Sequence, residues 1–160
     1  MVDKDTLKKI FFLKDLPDHV LEKIGKIAQI RTYEKDQILY HQDENQNVVF
    51  MLVDGLVSLN SRSQKGLSMT LDEVTPGRIF GVPALLNDAC GAFTAVCAKP
   101  CTMIALSAPK MRDLFDEDFE IGHIFMRKMV EMYKSRREMH TKQFVHSLKT
   151  HPEIKRFAEY

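Results

Sequence analysis

Apolar positions recur at two different periods along the chain, and the changeovers divide it. Residues 7–12 and 17–28 carry them at helical spacing, with Leu16, Val20, Leu21, Ile24 and Ile27 on one face and Asp15 or Leu16 before Pro17 as a start signal. Two short helices are predicted there. From 29 to 106 short β-rich runs take over, at 37–41, 47–53, 56–60, 67–74, 93–97 and 102–106, separated by polar or Gly/Pro-containing turns. That pattern predicts an antiparallel β architecture, either roll or sandwich. Asp54-Gly55 between two of these runs is the strongest hairpin signal, because both residues tolerate positive φ. Thr75-Pro76-Gly77 and Lys99-Pro100 mark further turns. After Ser107-Ala108-Pro109 a short helix is predicted through Phe115, with Ser107 as cap and Pro109 in its first turn.

One long helix follows, over 119–148, where there is no proline and the only glycine, Gly122, lies near the start. Phe125, Met129, Met132, Arg136, Met139, Gln143 and His146 fall at heptad spacing, although Arg136 and Gln143 interrupt the apolar stripe after about two heptads. Such a stripe packs either on the chain's own β body or on a second copy. A helix this long outruns a small roll, so we expect a homodimer contact through Phe125, Met129, Met132 and Met139. The expected organisation is a β domain with its N-terminal helices over 1–118, then the long helix and a short tail over 119–160 as a dimerisation element.

Composition narrows the class. The 160 residues are 44% hydrophobic and 28% charged, as expected of one globular domain rather than a disordered or membrane chain. No run approaches the roughly 18 apolar residues of a spanning helix, and Met1-Val2-Asp3-Lys4-Asp5 lacks the pattern of a signal peptide, so a cytoplasmic location is expected. Cys90, Cys97 and Cys101 are too few for a disulfide framework and read as small buried hydrophobes. The net charge of +1 is unevenly spread: from Met126 to Tyr160 nine Lys/Arg face four Asp/Glu, against fourteen and eighteen in the remainder. A basic tail on a mildly acidic body is either a solvated helix face or a surface for an acidic partner. Cys97 and Cys101 have no second Cys/His pair at metal spacing, and no Walker loop, Gly-x-Ser-x-Gly elbow or His-Glu-x-x-His helix is present, so neither zinc nor an enzyme is expected.

Three stretches carry a resemblance. Tyr33-Glu34-Lys35-Asp36-Gln37-Ile38-Leu39-Tyr40, then Phe50-Met51-Leu52-Val53-Asp54-Gly55-Leu56-Val57, then Thr75-Pro76-Gly77-Arg78-Ile79-Phe80-Gly81-Val82-Pro83-Ala84-Leu85-Leu86 stand in order. Together they resemble the cyclic nucleotide-binding domain family over about residues 7–115. The resemblance implies a mainly β fold: an antiparallel β-roll with two N-terminal helices and a long C-terminal helix. Asp36 and Asp43 stand where that family commonly has glycine, and aspartate tolerates left-handed backbone better than most residues.

The resemblance also implies a phosphate-binding cassette. In the family a short helix offers backbone N–H groups to a cyclic phosphate. A glutamate at its start accepts from the ribose 2′-hydroxyl, and an arginine about nine residues later neutralises the phosphate. Here the glutamate position is Val82 and the arginine position is Gly91, and Pro83 removes an amide donor. Losing a buried charge-assisted pair costs about 2–5 kcal/mol, so cyclic AMP and cyclic GMP are not expected as ligands. No Lys or Arg stands between Arg78 and Lys99, which leaves Arg78 as the nearby candidate to substitute, and family logic places it before the pocket. The remaining candidate pocket is Phe80, Gly81, Val82, Ala84, Leu85, Gly91, Ala92 and Thr94, which either takes a neutral ligand or is closed by Val82.

Some relatives hold haem, for which His123, His140, His146 and the helix methionines would be the candidate axial ligands. Histidines scattered among charged residues read as solvated, so no haem is expected. The leading functional expectation is a non-enzymatic regulatory or sensor module that reports its pocket state through the long helix. One alternative is the sensor domain of a catabolite-activator-type transcription regulator without its DNA-binding domain, since the fourteen residues after His146 are too few for a helix-turn-helix. The other is a dimerisation module with a closed pocket. Neither membrane nor nucleic acid is expected as a partner of this chain alone.

Overall fold

The computed structural model describes residues 1–63, 66–86 and 90–151. It divides into two units, Met1–Asp118 and a second beginning at Phe119. The first opens with α1 (Lys4–Lys8), capped by Asp3, whose carboxylate accepts from the Thr6 amide and hydroxyl at 2.8 Å each. That cap starts the helix three residues ahead of the predicted 7–12. Residues 9–15 continue as turns instead, which still bury Ile10, Phe12 and Leu13. Next comes α2 (Asp18–Ile27), whose Val20, Leu21 and Ile24 are buried on the predicted face.

Among the described residues eight strands follow: β1 (Ala28–Tyr33), β2 (Ile38–Tyr40), β3 (Val48–Asp54), β4 (Val57–Arg62), β5 (Ser68–Val74), β6 (Ile79–Phe80), β7 (Thr94–Cys97) and β8 (Cys101–Ser107). They form two antiparallel four-stranded sheets, ordered β1-β8-β3-β6 and β2-β7-β4-β5. The expected mainly β architecture with flanking helices is thus the one observed. Alternate residues of facing strands meet between the sheets: Phe50 and Leu52 of β3, Val57 and Leu59 of β4, Ala95 and Cys97 of β7, Met103 and Ala105 of β8. The intervening Val49, Met51, Ile104 and Leu106 are also fully buried, so the first sheet is covered on both faces. α2 packs on β1, and α3 (Ala108–Glu117) packs on β8 and on α2.

Three expectations need correction. The Asp54-Gly55 turn is not a hairpin: β3 pairs with β6 and β8, whereas β4 pairs with β5 and β7, so the turn carries the chain from one sheet to the other. The Asp-Gly pair specifies a tight reversal but not that its flanks share a ladder. Gly55 is required there by close approach, because a Cβ would lie 2.5 Å from the Pro100 carbonyl oxygen and 2.7 Å from Cys101 Sγ. The second crossing, from β7 to β8, lies alongside, with Ala98 N and Lys99 N donating to the Leu56 carbonyl at 2.8 and 3.3 Å. Secondly, β1 and β6 were not anticipated as strands. β1 is an edge whose only buried residue is Ala28, and β6 has two residues, so neither leaves an alternating pattern. Thirdly, Cys90 is exposed, while Cys97 and Cys101 are buried as expected.

The second unit is α4, Phe119–Thr150, a helix of 32 residues. Ile121, Phe125 and Met129 are buried, Met132 is half-buried and Met139 exposed. The predicted stripe therefore does not run as one open surface. Exposed apolar side chains instead include Met126, Val130, Tyr133, Phe144 and Val145. Among the described residues no helix is long and apolar enough to cross a membrane.

Candidate functional site

The chain from Arg78 to Leu86 makes a strand, a left-handed residue and a single 3-10 turn. β6 ends at Phe80, Gly81 takes φ 72°, and Val82–Leu85 form the turn with Pro83 in its first positions. Glycine suits position 81 because the backbone is left-handed and because a Cβ there would come within 3.1 Å of the Val48 carbonyl oxygen. Ala84 N donates to Gly81 O at 3.1 Å and Leu86 N to Pro83 O at 2.9 Å, so the turn spends these amides on its own closure. Val82 is only 3% exposed, and Ala84 and Leu85 are buried beside it. An aliphatic side chain thus occupies a dry position where an unpaired carboxylate would be costly.

The cations near the turn are committed. Arg78 donates from Nη1 to the Glu73 carbonyl at 2.7 Å and pairs through Nη2 with Asp72 at 3.4 Å, which ties it to β5. Arg112 of α3 donates from Nη1 to the Ala84 carbonyl at 2.9 Å, bracing the turn from its C-terminal side. This second contact links the turn to the helix after the roll. Sequence reasoning missed it because 28 residues separate the partners.

The other half of the candidate pocket is held by the loop after β2. Asp43 N donates to Gly91 O at 2.9 Å, Gly91 N donates to Glu44 O at 3.4 Å, and Asn45 bridges Cys90. Thr94 Oγ1 accepts from Gln42 N at 2.9 Å. A Cβ on Gly91 would meet Phe93 O and the Tyr40 ring at an ordinary 3.5 Å, and Gly91 does not have positive φ, so a side chain fits there. Ala92, by contrast, is exposed. Phe80 lies in the intersheet core, its ring 5.4 Å from Phe50 and 6.5 Å from Tyr40 in centroid distance. Tyr40 therefore touches both halves, and Gln46, which donates from Nε2 to Gly81 O at 3.3 Å, joins the same loop to the turn. Neither had been singled out as a site residue. A polar residue between an exposed loop and β3 gives no periodic signal of its burial.

Among the described residues no group of three or more His, Cys, Asp or Glu side chains is placed to hold a metal ion. His123, His140 and His146 are all exposed on α4.

The model of the family described as "Cyclic nucleotide-binding domain" matches residues 30–118. Solved structures are similar at low identity. A cyclic nucleotide-binding domain of Methylobacillus flagellatus KT superposes with a TM-score of 0.77 at 14% identity, over 89% of this chain and 80% of its own. A Geobacter metallireducens GS-15 protein named for cyclic nucleotide binding gives 0.74 at 21%, over 85% and 98%. The Thermus thermophilus Catabolite Activator Protein gives 0.70 at 19%; the match covers 86% of this chain and 63% of that one. No protein of curated function matches the chain at a significant level.

Proposed function

This chain belongs to the cyclic nucleotide-binding domain family, and from that premise we propose that it is a non-enzymatic regulatory sensor module whose cassette no longer recognises a cyclic phosphate. The carrying observation is Val82, buried in the turn at the position where the family's glutamate is expected, with glycine at 91 in place of the arginine. Arg78 does not compensate, because its guanidinium is spent on Glu73 and Asp72. A cyclic monophosphate entering here would lose hydration of its charge without meeting a free guanidinium, a deficit of about 2–5 kcal/mol. The site residues of the module are Phe80, Gly81, Val82, Ala84, Leu85, Gly91 and Thr94; exposed Ala92 lies at their edge. Haem is not needed for this function, and the exposed helix histidines are solvated side chains.

Calorimetric titration with cyclic AMP and cyclic GMP tests the proposal: we expect no heat at micromolar concentrations, and micromolar binding of either would overturn it. In this reading α4 reports the pocket state through a homodimer that uses Met132 and Met139, the stripe positions not fully buried. Light scattering on Met132→Lys should give a lower mass than wild type; an unchanged mass removes that stripe as the interface. The similarity to the Thermus thermophilus Catabolite Activator Protein favours a second reading, a sensor portion of a transcription regulator. Its test is whether the chain represses or activates when fused to a heterologous DNA-binding domain.

A further inference from the structure

The apolar side chains that α4 leaves exposed keep a heptad register of their own. Met126, Val130, Tyr133 and Phe144 are between 43% and 67% exposed. With Arg137 and His140, also exposed, they complete an a/d seam: Val130, Arg137 and Phe144 at a, Met126, Tyr133 and His140 at d. The six lie within about 80° of the helix circumference and run for about 27 Å along it. This register is displaced by one residue, about 100° of rotation, from the stripe of Phe125, Met129, Met132 and Met139, whose first two members are buried.

The charges beside the seam have one sign. Position e holds Arg127, Lys134 and Thr141, and position g holds Met129, Arg136 and Gln143. These are the positions whose salt bridges across a helix pair select the partner, and here they hold cations and no Asp or Glu. Glu131 and Glu138 stand one row further round, at b; Lys134 reaches Glu138 at 4.0 Å, an exposed pair that contributes little. A second copy laid parallel on the seam would set Arg137 against Arg137, and in either direction cations would line both flanks. A membrane surface calls for a broader apolar face than a seam interrupted by Arg137 and His140.

We propose that this seam docks an amphipathic helix of another protein, one with apolar residues at its a and d positions, carboxylates at e and g, and a further carboxylate opposite Arg137. Apolar contact along Met126, Val130, Tyr133 and Phe144 supplies the affinity, and the cations set the partner's charge. The surface is independent of what the cassette binds. It leaves Met132 and Met139, which lie about 100° round the helix, outside the contact.

Fluorescence anisotropy of the full chain with two labelled synthetic peptides of about three heptads tests the assignment. Both peptides carry leucine at a and d; one has glutamate at e, g and a central a position, and the other has lysine at all of these. We expect the glutamate peptide to bind wild type about tenfold or more tightly than the lysine peptide, and to weaken as salt rises. Val130→Ser should cut that affinity by about tenfold or more, whereas Ser135→Ala, exposed but outside the seam, should leave it unchanged. Arg127→Glu, Lys134→Glu and Arg137→Glu together should reverse the preference between the peptides. Unfolding midpoints establish that the variants fold. Equal affinity for the two peptides, no binding of the glutamate peptide at about 100 μM, or equal binding by wild type and Val130→Ser overturns the proposal. A lower light-scattering mass for Val130→Ser without peptide would give the seam to a second copy, and sedimentation of wild type but not Val130→Ser with phosphatidylserine vesicles would give it to a membrane; either result also overturns it.

Discussion

Replacing Gly55 by alanine tests the crossing between the sheets, and Gly66→Ala supplies the internal control. Both glycines have positive φ, 105° and 80°. An alanine held in left-handed backbone costs about 1–2 kcal/mol wherever it stands. At Gly66 nothing lies within 4 Å of the added Cβ, so that conformational cost is the whole effect. At Gly55 the Cβ would lie 2.5 Å from Pro100 O, 2.7 Å from Cys101 Sγ and 2.9 Å from Cys101 Cα. Two of these three atoms are backbone, so the parallel crossing must move, stretching the Ala98 and Lys99 bonds to Leu56 O. Overpacking of this kind adds about 1–3 kcal/mol, for a total of about 2–5 kcal/mol. At about 2–4 °C per kcal/mol for a chain of this length, Gly55→Ala should lower Tm by about 4–20 °C and Gly66→Ala by about 2–8 °C. Thermal and denaturant unfolding followed by circular dichroism gives both values, and an unchanged m confirms that the difference is one of stability. Equal losses in the two variants would refute the clasped-crossing account.

Further outcomes follow from the cassette and its surroundings. Val82→Glu combined with Gly91→Arg should bring cyclic AMP affinity up by roughly thirtyfold or more, since a charge-assisted pair is worth about 2–5 kcal/mol; a folded double variant silent in calorimetry would place the fault in the backbone of the Pro83 turn. Val82→Glu alone should be the less stable single variant, because its carboxylate would be buried unpaired. Arg112→Met keeps the aliphatic stem but leaves the Ala84 carbonyl without its cation, a loss of about 1.5–3 kcal/mol in denaturant unfolding; a neutral result would make the contact dispensable. Burial, with Cys101 alongside, pushes the Cys97 thiol up to about 12. At pH 8 one cysteine, Cys90, should therefore react with a thiol reagent in the folded protein and three in denaturant, as counted by intact mass.

What could be read from the sequence was whatever repeats or whatever strains the backbone. The strands that alternate, β4 and β7, and the continuously apolar β3 and β8 stand within a residue or two of expectation. Asp36 and Asp43, the two aspartates at glycine-like positions, are among the described residues the only non-glycine ones with positive φ, 67° and 64°. The illegible part depends on partners far apart in the chain. Nothing in Asp54-Gly55 says that its two flanks enter different sheets, since that choice is made by β8 and β7 some forty residues later. The phosphate-cassette substitutions at 82 and 91 were visible as residue types. Their surroundings were not: the Arg112 brace, the Tyr40 ring and the half-satisfied Gln46 amide all come from contacts at long range. The heptad stripe on α4 was visible too, but periodicity does not tell which of its members are buried.

The pairing of β1 with β8, Ala28 opposite Leu106 and Tyr33 opposite Cys101, has a consequence for synthesis. A nascent chain emerging from a ribosome holds β1 and β2 with no ladder to join until β7 and β8 appear. Only β4 and β5, consecutive in the chain, can pair early. β3, apolar on both faces, must wait for β6 and β8 while already exposed to chaperones and to other nascent copies. Release of the segment through Ser107 is therefore the committing event of folding. Any stalled product shorter than that carries a Val48–Asp54 strand without its β8 ladder and should be recovered in aggregates rather than as a smaller folded domain.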